Sequence, residues 1–78
     1  MIHAREDYNR FQDPENKIGE DEPVMLFRAK DMHFISVLKF YEMELDISNN
    51  REVADSVRKH IELSLKWRDV NGCKQPDL

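Results

Sequence analysis

One cysteine, two glycines and three prolines are spread over 78 residues, and no uninterrupted apolar run exceeds four. Each scarcity closes off a class. A lone Cys73 excludes an intrachain disulfide and a Cys-based zinc site, and it suits a cytosolic protein. Two glycines cannot supply a Gly-rich phosphate loop. Apolar runs this short fit neither a signal peptide nor a membrane span. Basic residues are also in deficit, 12 Lys and Arg against 16 Asp and Glu, for a net charge of −4. Binding to a nucleic-acid backbone needs the opposite balance, because Lys and Arg release the counterions that drive it.

What is present reads as a soluble globular chain, with 40 % apolar and 36 % charged residues and enough of both for a core and a solvated surface. The charge is uneven. From Met1 to Pro23, Arg5, Arg10 and Lys17 face Glu6, Asp7, Asp13, Glu15, Glu20, Asp21 and Glu22. The whole net charge therefore sits in the first third, and the remainder balances. A single domain of this size buries only about 60–65 % of the surface its unfolded chain exposes.

The patterning predicts a mainly α architecture: a helical hairpin over about 31–46 and 51–70, preceded by an ordered irregular segment (1–23) and followed by a frayed tail (73–78). Asp13-Pro14, Gly19 and Pro23 punctuate the first segment as turns. The run "PVMLFRA" has two readings: a short strand over 24–29, or a helix starting at Pro23 with Asp21 and Glu22 at its N-terminus. A strand would have to pair with the first twenty residues or with a second subunit, and would leave Arg28 part-buried. Asp31 is the expected N-cap of the first helix, whose inner stripe is Phe34, Val37, Leu38, Tyr41 and Leu45, widened by Ile35, Phe40 and Met43. A helix apolar this far round asks to be covered on two sides. Self-association into a homo-oligomer is the predicted consequence.

Asn49 with Glu52 resembles a capping box for the second helix. Its inner face is Val53, Ala54, Val57, Ile61, Ser64, Leu65 and Arg68, with Trp67 and His60 beside it. Asp55–Lys59 and Glu62–Lys66 have the favourable acid-before-base spacing. Asn71-Gly72 ends it, glycine being the usual left-handed residue after a helix.

The densest polar chemistry is "HAREDYNR", residues 3–10. Arg5 and Arg10, joined by Arg28, supply the bidentate forks that phosphate or carboxylate recognition uses. Tyr8 would donate a hydrogen bond or stack on a base, and His3 would add a donor strengthening below about pH 6.5. Asp7 and Asp13 would hold the guanidinium groups in place. The alternative is structural, with Arg5 and Arg10 tying this segment to nearby carboxylates. His3, His33 and His60 match no zinc spacing, no catalytic triad or cofactor motif is legible, and no catalytic residue is assigned.

The string from His3 to Asp31 resembles the start of a family of very short bacteriophage and prophage proteins, in which a His-Ala-Arg…Asp-Tyr…Arg…Gln-Asp-Pro opening precedes Asp-Glu-Pro-Val…Leu…Arg-Ala…Asp. The resemblance implies that His3, Arg5, Asp7, Tyr8, Arg10, Gln12, Asp13, Glu22, Arg28 and Asp31 are shared polar positions. It also implies a small accessory role in a host cytoplasm. Two functions follow as expectations: a non-enzymatic protein that binds an anionic small ligand such as a nucleotide through His3, Arg5, Tyr8, Arg10 and Arg28, or an interaction module that blocks a host protein through its acidic first third.

Overall fold

The computed structural model describes residues 1–3 and 12–76. It is mainly helical, as predicted: β1 (Ile2–His3), β2 (Pro23–Val24), α1 (Phe34–Ile47) and α2 (Arg51–Asn71) follow one another along the chain. The two helices form the expected antiparallel hairpin around a small core of Phe34, Ile35, Leu45, Ala54, Val57 and Ile61, with Ala29 and Leu38 packed against it. Ala54 is fully buried, which lets the helices approach closely where a larger side chain would hold them apart.

The α1 stripe is rotated from the one predicted. Ile35 turns inward with Phe34, Leu38 and Leu45, whereas Val37 and Tyr41 are exposed. The apolar residues extend round most of α1, so periodicity alone could not choose which arc meets α2. An ion cluster flanks the arc that is chosen. Arg58 on α2 places Nε 2.8 Å from Glu42 Oε1 on α1, and its Nη1 lies 2.5 Å from Asp55. Hydrogen bonding to Glu42, then its charge, raises the Arg58 pKa further above the ordinary arginine value. Asp55, expected to meet Lys59, thus pairs with the residue before it, at a spacing of three instead of four.

On α2 the inner face is narrower than predicted. Ala54, Val57, Ile61 and Ser64 are buried and Arg68 is half-buried, while Val53, His60, Leu65 and Trp67 are exposed. The Ser64 hydroxyl donates to the His60 carbonyl at 2.7 Å, so its burial leaves no unpaired donor.

The N-caps differ by two residues and by one from expectation, His33 standing before α1 and Asn50 before α2. Asp31 does not cap α1 directly: its Oδ1 accepts the His33 amide at 2.8 Å and its carbonyl accepts Phe34 N at 3.0 Å, forming a turn that leads into the helix. Its backbone is committed to a bridge with Lys74 and cannot be helical. The N-cap of α2 is Asn50, which accepts Val53 N at 3.4 Å. Asn49 instead takes a left-handed φ of 61°, a conformation Asn tolerates better than most residues. Gly72 ends α2 with φ 67°, as predicted.

The segment after α2 corrects a second expectation. Residues 73–76 are not frayed: Lys74 N donates to Lys30 O and Met32 N to Lys74 O, both at 2.8 Å, and His33 Nε2 lies 3.2 Å from Gln75 Oε1. No periodic pattern announces a single bridge of this kind.

Of the two readings for 24–29, the strand holds in a shorter form. Only Pro23 and Val24 are strand, pairing in parallel with Ile2 and His3. Pro23 opens the strand, where its missing N–H costs least, and residues 4–22 provide the long connection a parallel pair requires. Beyond Val24 the chain leaves the sheet, so Met25, Leu26, Phe27 and Arg28 are exposed. The part-buried Arg28 of the sequence reading is therefore corrected, because the strand stops before reaching it.

Candidate functional site

Arg5, Asp7, Tyr8 and Arg10 lie outside the described residues, so neither their convergence nor their pairing with acids is assigned. His3, Asp13 and Arg28 are described. His3 is held by its pairing with Val24, and its surroundings are firm: the Met1 amino group donates to the carbonyls of Gly19 and Glu20, each at 2.6 Å, and Ile2 N donates to Glu22 O at 2.8 Å. The ring is half-buried, and Nδ1 is shielded from solvent with no hydrogen-bond partner among the described residues. It lines an open cleft of about 340 Å³ with Ile2, Pro23, Val24 and Met25. That lining is mostly apolar, and the cleft is shallow.

Asp13 builds the turn that Asp13-Pro14 signals in the sequence. Its Oδ1 accepts Lys17 N at 3.0 Å and its Oδ2 accepts Ile18 N at 2.8 Å, while its carbonyl accepts Asn16 N at 3.0 Å. Both carboxylate oxygens thus organise a local turn, the usual way Asp replaces a missing backbone partner. An Asp followed by Pro14 carried that signal. Lys17 pairs at 2.6 Å with Glu15, an exposed contact of small energetic weight.

A second concentration of polar contacts lies at the far end of α2. Arg68 donates from Nε to Ala29 O at 2.8 Å and from Nη2 to Asp31 O. Lys30 Nζ donates to Asn71 O at 2.5 Å and stands 5.9 Å from the Trp67 ring, placing a cation on the carbonyl end of the helix. Together with the Lys74 bridge, these contacts latch residues 29–33 between α2 and the segment that follows it. Every donor here meets a backbone carbonyl of the chain itself, so the cluster is a structural clasp. The sequence placed Arg68 on the inner face correctly but gave no sign of its two carbonyl partners.

No group of His, Cys, Asp and Glu among the described residues could hold a metal ion, and no described helix is long and apolar enough to cross a membrane. No family model, curated protein or solved structure matches this chain.

The surface of the described residues is rich in large apolar side chains. Fifteen large apolar side chains among the described residues are exposed, against five, with Ala54 between them, in the buried core. On α1 alone they include Val37, Phe40, Tyr41, Met43 and Ile47, covering the arc turned away from α2. The accessible surface is 6552 Å², where a compact monomer of this mass exposes about 5000 Å². The radius of gyration agrees, at 14.1 Å against about 11.5 Å for a compact chain of this length.

Proposed function

We propose that this chain is a non-enzymatic protein-interaction module of the small phage-type accessory kind, acting by surface contact with another macromolecule. The observation that supports this is the reversal of the usual balance: more large apolar side chains lie on the described surface than in the core. A concentration of exposed large apolar side chains, such as α1 carries, marks a contact region. Catalysis and tight small-ligand binding favour concave, largely enclosed sites, and the cleft beside His3 is open. The acidic turn Glu20-Asp21-Glu22, all exposed, would bias the choice of partner toward basic surfaces and speed its approach.

Native mass spectrometry of the protein isolated from its source cells tests this reading. The expected species is a complex with a protein mass, either another chain or further copies of this one. A bare monomer carrying a nucleotide-sized mass would overturn it.

Anion binding by His3, Arg5, Tyr8, Arg10 and Arg28 is the second reading, and one observation favours it: residues 1–3 are tied to 19–24 by paired backbone, which carries the start of the cluster into a defined place. Calorimetric titration with mono-, di- and cyclic nucleotides decides it. Heat that disappears in Arg5→Ala/Arg10→Ala, with the fold retained, supports the ligand reading, and absence of heat in the unaltered chain removes it.

A further inference from the structure

Resting on the interaction reading, we infer that the partner is a second copy of this chain, docked antiparallel on the side of α1 turned away from α2. Ser36, Phe40, Met43 and Ile47 recur at spacings of four, three and four, the alternation by which helices pack knobs into holes. All four are exposed, Phe40 at 60 % and Ile47 at 70 %. None belongs to the intramolecular core, to which α1 contributes Phe34, Ile35, Leu38 and Leu45. The helix carries two apolar seams, and the hairpin covers one.

The second seam is complementary to itself. With two α1 helices antiparallel, Phe40 of one copy packs on Met43 of the other and Ser36 on Ile47, so each layer combines side chains of different bulk. In the same register Lys39 of each copy flanks Asp46 of the other, and two-fold symmetry forms that pair twice. Lys39 is exposed. Asp46 keeps 49 % of its side chain exposed while standing 3.7 Å from Arg58. Antiparallel axes also set opposite helix dipoles side by side. A parallel register would instead place Phe40 on Phe40 and Ser36 on Ser36, with Lys39 beside Glu44.

Sedimentation of the full chain over a concentration series tests this, with circular dichroism confirming helicity of each variant. The unaltered chain is expected to dimerise below about 100 μM, and Phe40→Glu to weaken the dimer roughly a hundredfold. Lys39→Glu and Asp46→Lys are each expected to weaken it about tenfold through two like-charge contacts. Mixing those two variants restores both opposite-charge pairs and is expected to recover the original affinity as a heterodimer. Glu44→Lys alone is expected to dimerise as the unaltered chain does, and its mixture with Lys39→Glu to form a heterodimer of intermediate affinity, one pair being kept and one opposed; a Glu44→Lys chain that dimerises poorly by itself and is fully rescued by Lys39→Glu would overturn the antiparallel register. Should Phe40→Glu fail to fold, the mixing experiment decides alone. A chain monomeric to about 100 μM, a dimer indifferent to a folded Phe40→Glu, or variants that mixing does not rescue would each overturn the inference. A monomer that co-purifies with a different protein overturns only this choice of partner, whereas a monomer carrying a nucleotide overturns the interaction reading as well.

Discussion

The hairpin and the first 24 residues are built on different principles. The hairpin closes an apolar core with side chains from two long helices and latches its open end through Arg68, Lys30 and Lys74. The N-terminal third has no core of its own among the described residues. It is held by backbone: a two-residue parallel pair, the Met1 amino group on two carbonyls, and the Asp13 turn. An isolated two-stranded pair is marginal in water, so its order depends on local hydrogen bonds that water competes for. The helices depend on burial, which is cooperative. Damage should therefore spread through the hairpin and stay local in the first third.

Ile61→Ala gives the largest expected effect. Ile61 is one of six buried core residues, and its truncation should cost about 2–4 kcal/mol, a large share of the roughly 4–12 kcal/mol available to a chain this long. Thermal melts followed by circular dichroism should show a much lower midpoint. An unchanged midpoint would mean the helices are not held by this core.

Arg68→Met sharpens the comparison at the clasp. It keeps the length of the side chain but leaves the Ala29 and Asp31 carbonyls without their charged donor, at about 1.5–3 kcal/mol. Hydrogen exchange should accelerate at the Met32 and Lys74 amides, which donate across the bridge, before it does in the helix interiors. Uniform acceleration would show that the clasp and the hairpin unfold as one unit.

Asn50→Ala removes the α2 cap, whose 3.4 Å bond to Val53 N is long. A loss of about 0.5–1 kcal/mol is expected, visible as a small downward shift of the same melt. Asp13→Ala should leave that melt in place while speeding exchange at Lys17 and Ile18, the two amides its carboxylate accepts. If it lowers the helical melt as much as Asn50→Ala does, the two regions are coupled and the contrast between them fails.

Arg58→Ala should move the melt little, and the shift should shrink with added salt because the cluster is exposed. Its raised pKa means that its contribution is complete below the ordinary arginine range and is lost only as pH rises beyond it. Between pH 5 and pH 9, roughly the range where proteins are handled, stability should not change on account of Arg58.

Much of the hairpin was legible in residue order. Periodicity identified both helices, Gly72 identified the end of α2, and the polar stretch 46–50 identified the turn. The rotation of α1 was not legible, because an almost continuously apolar helix offers two arcs of similar hydrophobicity and only contact with Ala54, Val57 and Ile61 selects one. The short strand was legible as one of two alternatives and its extent was not, since Met25 to Arg28 continue the apolar run in sequence yet lie outside the strand. Of the proposed ligand cluster, His3 proved anchored, Asp13 proved to serve a turn and Arg28 proved exposed beyond the strand. The signal in "HAREDYNR" is one of residue type, and convergence is a property of backbone path that composition does not contain.

By itself the amino-acid sequence determined the class of molecule: two helices of set length, a turn between them, a charge deficit confined to one third, and more apolar surface than one hairpin can bury. Those follow from local rules of propensity, capping and spacing that act over a few residues. Tertiary structure alone decided which arc of α1 faces α2, that residues 74–75 close over 30–33, and that Ile2–His3 reaches Pro23–Val24. Each of these joins positions separated by long stretches of chain, where the choice is made by which surfaces and carbonyls happen to meet in space.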